Sequence, residues 1–183
     1  ITHSIEEISQ IGDQIVLIKD GKKIDSGSVS NILNRSSFVD LTGKFESSSI
    51  LEGIVSRHDQ NLHMTTLDLN GQKLVVPGLP GKLNDIVRVR IRSRDILLSS
   101  SRLKTQITEN ELQGLISSIE IEKNSAFSEL VIVLKNFKNN RKKQKLRARI
   151  TTYNLKNKKL LIHDNVFIYV SSVSIDRQAY QSK

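Results

Sequence analysis

The residues best suited to chemistry in this chain are cations and hydroxyls placed side by side. Residues 90–95 read RIRSRD, which puts Arg92, Ser93 and Arg94 in a row where an alternating strand ends. Guanidinium and hydroxyl groups are hydrogen-bond donors, and a charge-assisted bond to an anion contributes roughly 1.5–3 kcal/mol. Such a cluster has the chemistry of an oxyanion site. The four histidines do not compete with it. His58, His63 and His163 are scattered, with no i, i+4 spacing beside a carboxylate that a metal cation would need. The chain has no cysteine, which excludes disulfides, thiolate nucleophiles and Cys-based zinc sites and fits a reducing compartment.

The elements that must position this cluster occur twice. Residues 51–56 read LEGIVS and residues 112–117 read LQGLIS. DIVRVRIRSRDI (85–96) is echoed by DNVFIYVSSVSI (164–175), with Ser93 matched by Ser172. Each unit opens on a Gly-containing strand and closes on an alternating strand that ends in serine. Short strands with turn signals between them predict small β-barrels. Unit one (50–101) contains MTTLDLNGQKLVVPG, a hairpin with Asn70-Gly71 at its turn, then a Pro/Gly loop. In its closing strand Val87, Val89 and Ile91 face inward, and Arg88, Arg90 and Arg92 face water. Unit two (106–176) reads as strands around GLISSIEIEK, SELVIVLKNF, LRARITTYN and NVFIYVSS, with extra length around the basic run NNRKKQK and around LKNKK. Units of this size bury little core alone, so they are expected to pack on each other or on a second copy.

Residues 1–35 lie outside the repeat. THSIEEISQIG has a helical spacing of Ile5, Ile8 and Ile11, with Ser4 and Glu7 as a capping box. QIVLIKD and KKIDSG flank an Asp20-Gly21 turn, and SVSNILNR reads as a short helix capped by Ser28 or Ser30. Residues 36–49 are a Ser/Gly-rich linker, and 177–183 a terminal tail. The chain starts at Ile1 rather than Met, which suggests a piece of a longer protein.

The charge is +9, with a pI near 9.8. It points to acidic partners, whether anions, nucleic acid or an anionic surface, and it equally solvates an ordinary surface. Aromatics make up 4% of the chain and there is no Trp, so a stacking platform for single-stranded nucleic acid is not expected. NNRKKQK reads as a solvated hairpin tip that could also touch phosphates. No apolar run approaches the ~20 residues of a membrane span, and no signal peptide is visible.

Taken together, these segments resemble the C-terminal part of the ATP-binding subunit of molybdate ABC importers. THSIEEISQIGDQIVLIKDGKKIDSGS is similar to the end of an ABC ATPase domain. LEGIVSRHDQNLHMTTLDLNGQKLVVPG, VRVRIRSRDILLS and LRARIT are similar to the tandem molybdate-binding (TOBE or mop) units that follow it. The fold this implies is mainly β: tandem OB-like barrels preceded by an α/β remnant of the ATPase. The resemblance makes His3 the switch histidine that contacts the γ-phosphate in the parent. The chain has no GxxxxGK[ST] loop, so it should not hydrolyse ATP by itself. For the oxyanion, unit one offers Arg92, Ser93 and Arg94, with Ser48 and Ser49 before its opening strand. Unit two offers Asn110, Thr151, Ser171 and Ser172, but it carries Glu109 where the family has arginine and Ser171 where it has lysine. The implied parent uses ATP and Mg²⁺ as a homodimer on the cytoplasmic face of the membrane. It works with a membrane permease and takes molybdate or tungstate as ligand. Two alternatives remain, a stand-alone oxyanion-binding or regulatory protein and a basic OB-like nucleic-acid module.

Overall fold

The structure is a computed structural model that describes residues 1, 8, 13–33, 47–105, 108–138, 143–171 and 173–175. The expected first helix, His3, most of the linker, the centre of NNRKKQK, Ser172 and the tail lie outside the described residues.

Strands β1 (Gln14–Lys19) and β2 (Lys22–Ser28) form a two-stranded antiparallel sheet. Asp20 and Gly21 both take positive φ at the turn between them, as an Asp-Gly hairpin requires. Helix α1 (Val29–Leu33) follows. Ile15, Val29 and Ile32 bury against Ile50, so this piece leans on the start of the first barrel.

Unit one contains β3 (Ser48–Asp59), β4 (Met64–Leu69), β5 (Gln72–Pro77), β6 (Ile86–Arg92) and β7 (Ile96–Ser99), with a 3-10 turn over Ser93–Asp95. Unit two contains β8 (Glu111–Ile121), β9 (Phe127–Leu134), β10 (Lys145–Thr151), helix α2 (Thr152–Asn157), β11 (Asn165–Val170) and β12 (Ser174–Ile175). The expected long strand 85–96 is thus interrupted at Ser93. The strand predicted over LRARITTYN stops at Thr151, whose hydroxyl accepts the Asn154 N–H and caps α2.

The repeated hexapeptide owes each of its fixed residues to one physical demand. Leu51 and Leu112 are fully buried in the core. A Cβ on Gly53 would lie 2.8 Å from the Leu67 Cβ, and one on Gly114 would lie 2.5 Å from the Ile132 Cγ2. The neighbouring strand therefore leaves no room for a side chain. Ser56 and Ser117 sit where β3 and β8 slip register, and each donates its hydroxyl across to β4 or β9, to Thr66 O and Val131 O, both at 2.9 Å. The Asn70-Gly71 hairpin forms as predicted, with both residues at positive φ.

The two units exchange their last strands. One sheet runs β5-β4-β3-β6-β12 and the other β10-β9-β8-β11-β7. β7 of unit one pairs with β11 of unit two, and β12 of unit two pairs with β6 of unit one. β12 also packs against β5, and β10 against β7, so each sheet curls into a barrel closed by the other unit's strand. One continuous hydrophobic core runs through both, from Leu51, Leu67 and Leu74 to Leu112, Ile132 and Ile168.

Candidate oxyanion site at the strand crossover

The exchange forces each chain end of β6 and β11 to leave its own barrel and enter the other. The turn Arg92–Asp95 makes the first crossing, and the second lies between Val170, which ends β11, and Ser174, which begins β12. The two crossings touch, because both the N–H and the hydroxyl of Ser171 donate to the Asp95 carbonyl, at 3.0 and 3.1 Å. The sequence cluster therefore lies between the barrels, not on a free strand end.

At the first crossing the serine tract 47–49 faces Arg92 and Ser93. Ser48 pairs with Arg92 across the sheet, and the Ser93 N–H donates to Ser47 O at 2.9 Å. Ser47, Ser48, Ser49 and Ser93 are all buried. Ser48 Oγ accepts from Arg90 Nε at 3.0 Å, and Ser49 Oγ accepts the Arg147 N–H at 2.8 Å. The hydroxyls of Ser47 and Ser93 are buried with no hydrogen-bond partner among the described residues. A buried hydroxyl without a partner is costly unless something else satisfies it. Arg92 and Arg94, the chain neighbours of Ser93, are exposed and form no ion pair among the described residues. The crossing thus carries two buried hydroxyls without a partner among the described residues, and an exposed arginine on each side of Ser93 in the chain.

Several predicted residues are instead used in joining the barrels. Asn110 clamps the β5 edge: its Oδ1 accepts the Val75 N–H at 2.7 Å and its Nδ2 donates to Val75 O at 2.9 Å. Ser49, its counterpart in unit one, makes the matching bond to Arg147. Thr151 is committed to its helix cap. Two glutamines missed by sequence reasoning complete the pattern. Gln72 accepts from Gln113 N and donates to Gln113 O, at 2.6 and 3.0 Å. Gln144 accepts from Glu52 N and donates to Glu52 O, at 2.7 and 2.8 Å. Glu52 and Gln113 occupy the same position of the hexapeptide, so the interface is a pseudo-twofold. The available signal was a glutamine three residues before each clamped residue, Gln72 before Val75 and Gln144 before Arg147.

Behind β10 lies a sealed ionic group. Arg149 holds Glu122 through two bonds, at 2.6 and 3.2 Å, and lies 3.4 Å from Glu129 with its guanidinium over the Phe127 ring. Arg147 stands 3.6 Å from Glu129. Burial pushes the Glu129 carboxyl above its ordinary range, a shift that attraction to Arg147 and Arg149 opposes without cancelling. Among the described residues no group of His, Asp and Glu could hold a metal cation, and no helix is long and apolar enough to cross a membrane.

These features define a class: paired OB-like barrels, interlocked by strand exchange, with an anion-donor set at the crossover. A solved structure with a similar fold is that of the cytoplasmic molybdate-binding protein ModG with molybdate bound. It superposes with a TM-score of 0.56 at 15% identity, covering 69% of this chain and 94% of that one, which establishes the fold. The sequence is related to molybdenum import ATP-binding proteins named ModC and corresponds to their C-terminal part. It is 28% identical to that of Mesorhizobium japonicum over 97% of this chain and 46% of the relative. It is 33% identical to that of Rhizobium johnstonii over 65% of this chain and 33% of the relative. The Haemophilus influenzae protein is 27% identical over 96% of this chain and 47% of the relative. The chain thus spans about half or less of the length of the curated relatives it matches. No family model matches it.

Proposed function

We propose that this chain is the oxyanion-sensing C-terminal region of the ATP-binding subunit of a molybdate or tungstate importer. The carrying observation is the pair of buried hydroxyls of Ser47 and Ser93, unsatisfied among the described residues, at the turn where Arg92 and Arg94 flank Ser93 in the chain. A tetrahedral dianion supplies the acceptors those donors lack and the charge the guanidiniums lack. Ser48 and Ser49 hold the tract in place, and Ser171 brings the second crossing against it through Asp95; Ser172, the match of Ser93, is its proposed companion. Asn110 and Thr151 are already engaged, by Val75 and by the cap of α2, and are not counted among the site's donors. The ModC and ModG names support molybdate as the ligand.

In the whole protein, ATP and Mg²⁺ belong to the preceding ATPase domain. His3 is that domain's switch histidine, and β1, β2 and α1 are its last elements. The outer face of the hairpin supports this reading, since Val16, Ile18 and Ile24 are exposed there as if awaiting the rest of a core. The parent acts as a homodimer on the cytoplasmic face of the membrane, against a permease. Anion bound at the crossover ties the barrels together and reports cytoplasmic molybdate to the transporter. Titration calorimetry of the chain with sodium molybdate tests the reading. Micromolar binding that tungstate shares and that Arg92→Ala weakens supports it, and no heat of binding at millimolar molybdate rejects it.

A further inference from the structure

The pseudo-twofold brings two crossover ends to equivalent places, and the two have diverged. Ser47 corresponds to Thr108, Ser48 to Glu109, Ser49 to Asn110 and Arg92 to Ser171, by the same offsets that align the hexapeptides and the closing strands. At the unit-one end Ser48 and Ser49 accept from Arg90 and Arg147, but the Ser47 and Ser93 hydroxyls find no partner among the described residues. At the unit-two end each described counterpart is committed or of the wrong charge. The Thr108 hydroxyl donates to Val170 O at 2.8 Å and accepts the Asn110 N–H at 3.2 Å. The Asn110 amide is taken on both sides by Val75. Ser171, in place of a cation, gives both donors to Asp95 O.

Charge reinforces the difference. Thr108 and Glu109 line a cleft of about 450 Å³ with Arg102, Lys104, Glu111 and Tyr169. Arg102 is paired with Glu111 at 3.0 Å, which leaves Lys104 to balance Glu109. The cleft's two cations are offset by two carboxylates, so a dianion entering it gains no net attraction. The Tyr169 hydroxyl already accepts the Leu103 N–H, at 2.8 Å. The unit-one end has Arg92 and Arg94 with no carboxylate paired to either among the described residues.

We infer that the duplicated fold holds one tetrahedral dianion per chain, at the Arg92–Arg94 crossover, and that the unit-two end has lost oxyanion binding and serves as the strut that locks the barrels. This rests on the oxyanion reading above and specifies its occupancy. A sensor with one site responds along a simple hyperbola, whereas two coupled sites on one interlocked body would sharpen the response.

The test is the stoichiometry of molybdate on the full chain, by equilibrium dialysis with molybdenum quantified by mass spectrometry. The expected result is one molybdenum per chain at saturation. Arg92→Ala together with Arg94→Ala should weaken binding by at least about tenfold, with an unchanged circular dichroism melt because both side chains are exposed. Glu109→Arg together with Ser171→Lys should raise the count toward two. Two molybdenum per wild-type chain would overturn the inference while leaving the oxyanion reading intact. A single site lost in Glu109→Arg/Ser171→Lys but kept in the Arg92/Arg94 double variant would also overturn it. No bound molybdenum at any concentration would remove the oxyanion reading itself.

Discussion

The two glutamine struts provide a direct test of how the barrels are joined. Gln72 is buried and makes three bonds, two to Gln113 and one from Nε2 to Lys135 O at 2.8 Å. Gln144 is half-buried and makes two, both to Glu52. Truncation to alanine leaves backbone N–H and C=O groups without their partners, at about 1–3 kcal/mol for each group that water cannot reach. Water can enter at Gln144, so Gln144→Ala should cost about 2 kcal/mol. Gln72→Ala, more enclosed and with one more bond, should cost about 4 kcal/mol. For a chain of this length those losses correspond to Tm drops of about 4–8 °C and 8–16 °C. Equilibrium denaturation in urea measures both, and Gln72→Met, which keeps the volume, separates lost bonds from lost packing. Changes below about 0.5 kcal/mol at Gln72, or a larger loss at Gln144 than at Gln72, would refute the reasoning.

Two further outcomes follow from single side chains. Gly114→Ala places a methyl 2.5 Å from Ile132 Cγ2 and 2.9 Å from the Val133 carbonyl. It should destabilise by about 1–3 kcal/mol or more, whereas Gly27→Ala, whose Cβ meets nothing closer than 3.5 Å, should cost far less in the same thermal melt. Glu129 holds its proton to higher pH in the folded chain than in the unfolded one. Its contribution to stability is therefore present below the ordinary carboxylate range and is lost as pH rises through its elevated pKa. Denaturation across pH 4–8 should show that decline in wild type minus Glu129→Gln, and a difference that is flat or rises with pH would contradict the burial argument.

Much of this was legible because the signals were local. Leu51, Gly53 and Ser56 recur as Leu112, Gly114 and Ser117 because core, close approach and bulge each demand one residue type. Asn70-Gly71 and Asp20-Gly21 mark their hairpins because few other residues take positive φ in succession. The interruption at Ser93 was missed although the pattern carries it: the buried apolar positions are odd-numbered through Ile91 and even-numbered from Ile96. The exchange of β7 and β12 was hidden because which barrel a strand joins is decided by partners far along the chain, such as Val170 for Ile96 and Arg90 for Ser174, not by its own pattern. Helix α2 has one buried apolar residue, Leu155, too few for a period, and only Thr151 as a cap announced it. The sequence brought Arg92, Ser93 and Arg94 together with Ser48 and Ser49. It could not show that Ser47 belongs with them, or that Asn110 and Thr151 are already engaged.

The most direct measurement is a crystal structure of the chain grown with molybdate, with anomalous differences collected at the molybdenum edge. The account predicts one strong peak per chain within hydrogen-bonding distance of the Ser47 and Ser93 hydroxyls and beside Arg92. A peak elsewhere on the molecule, or none with molybdate at saturating concentration, would contradict it.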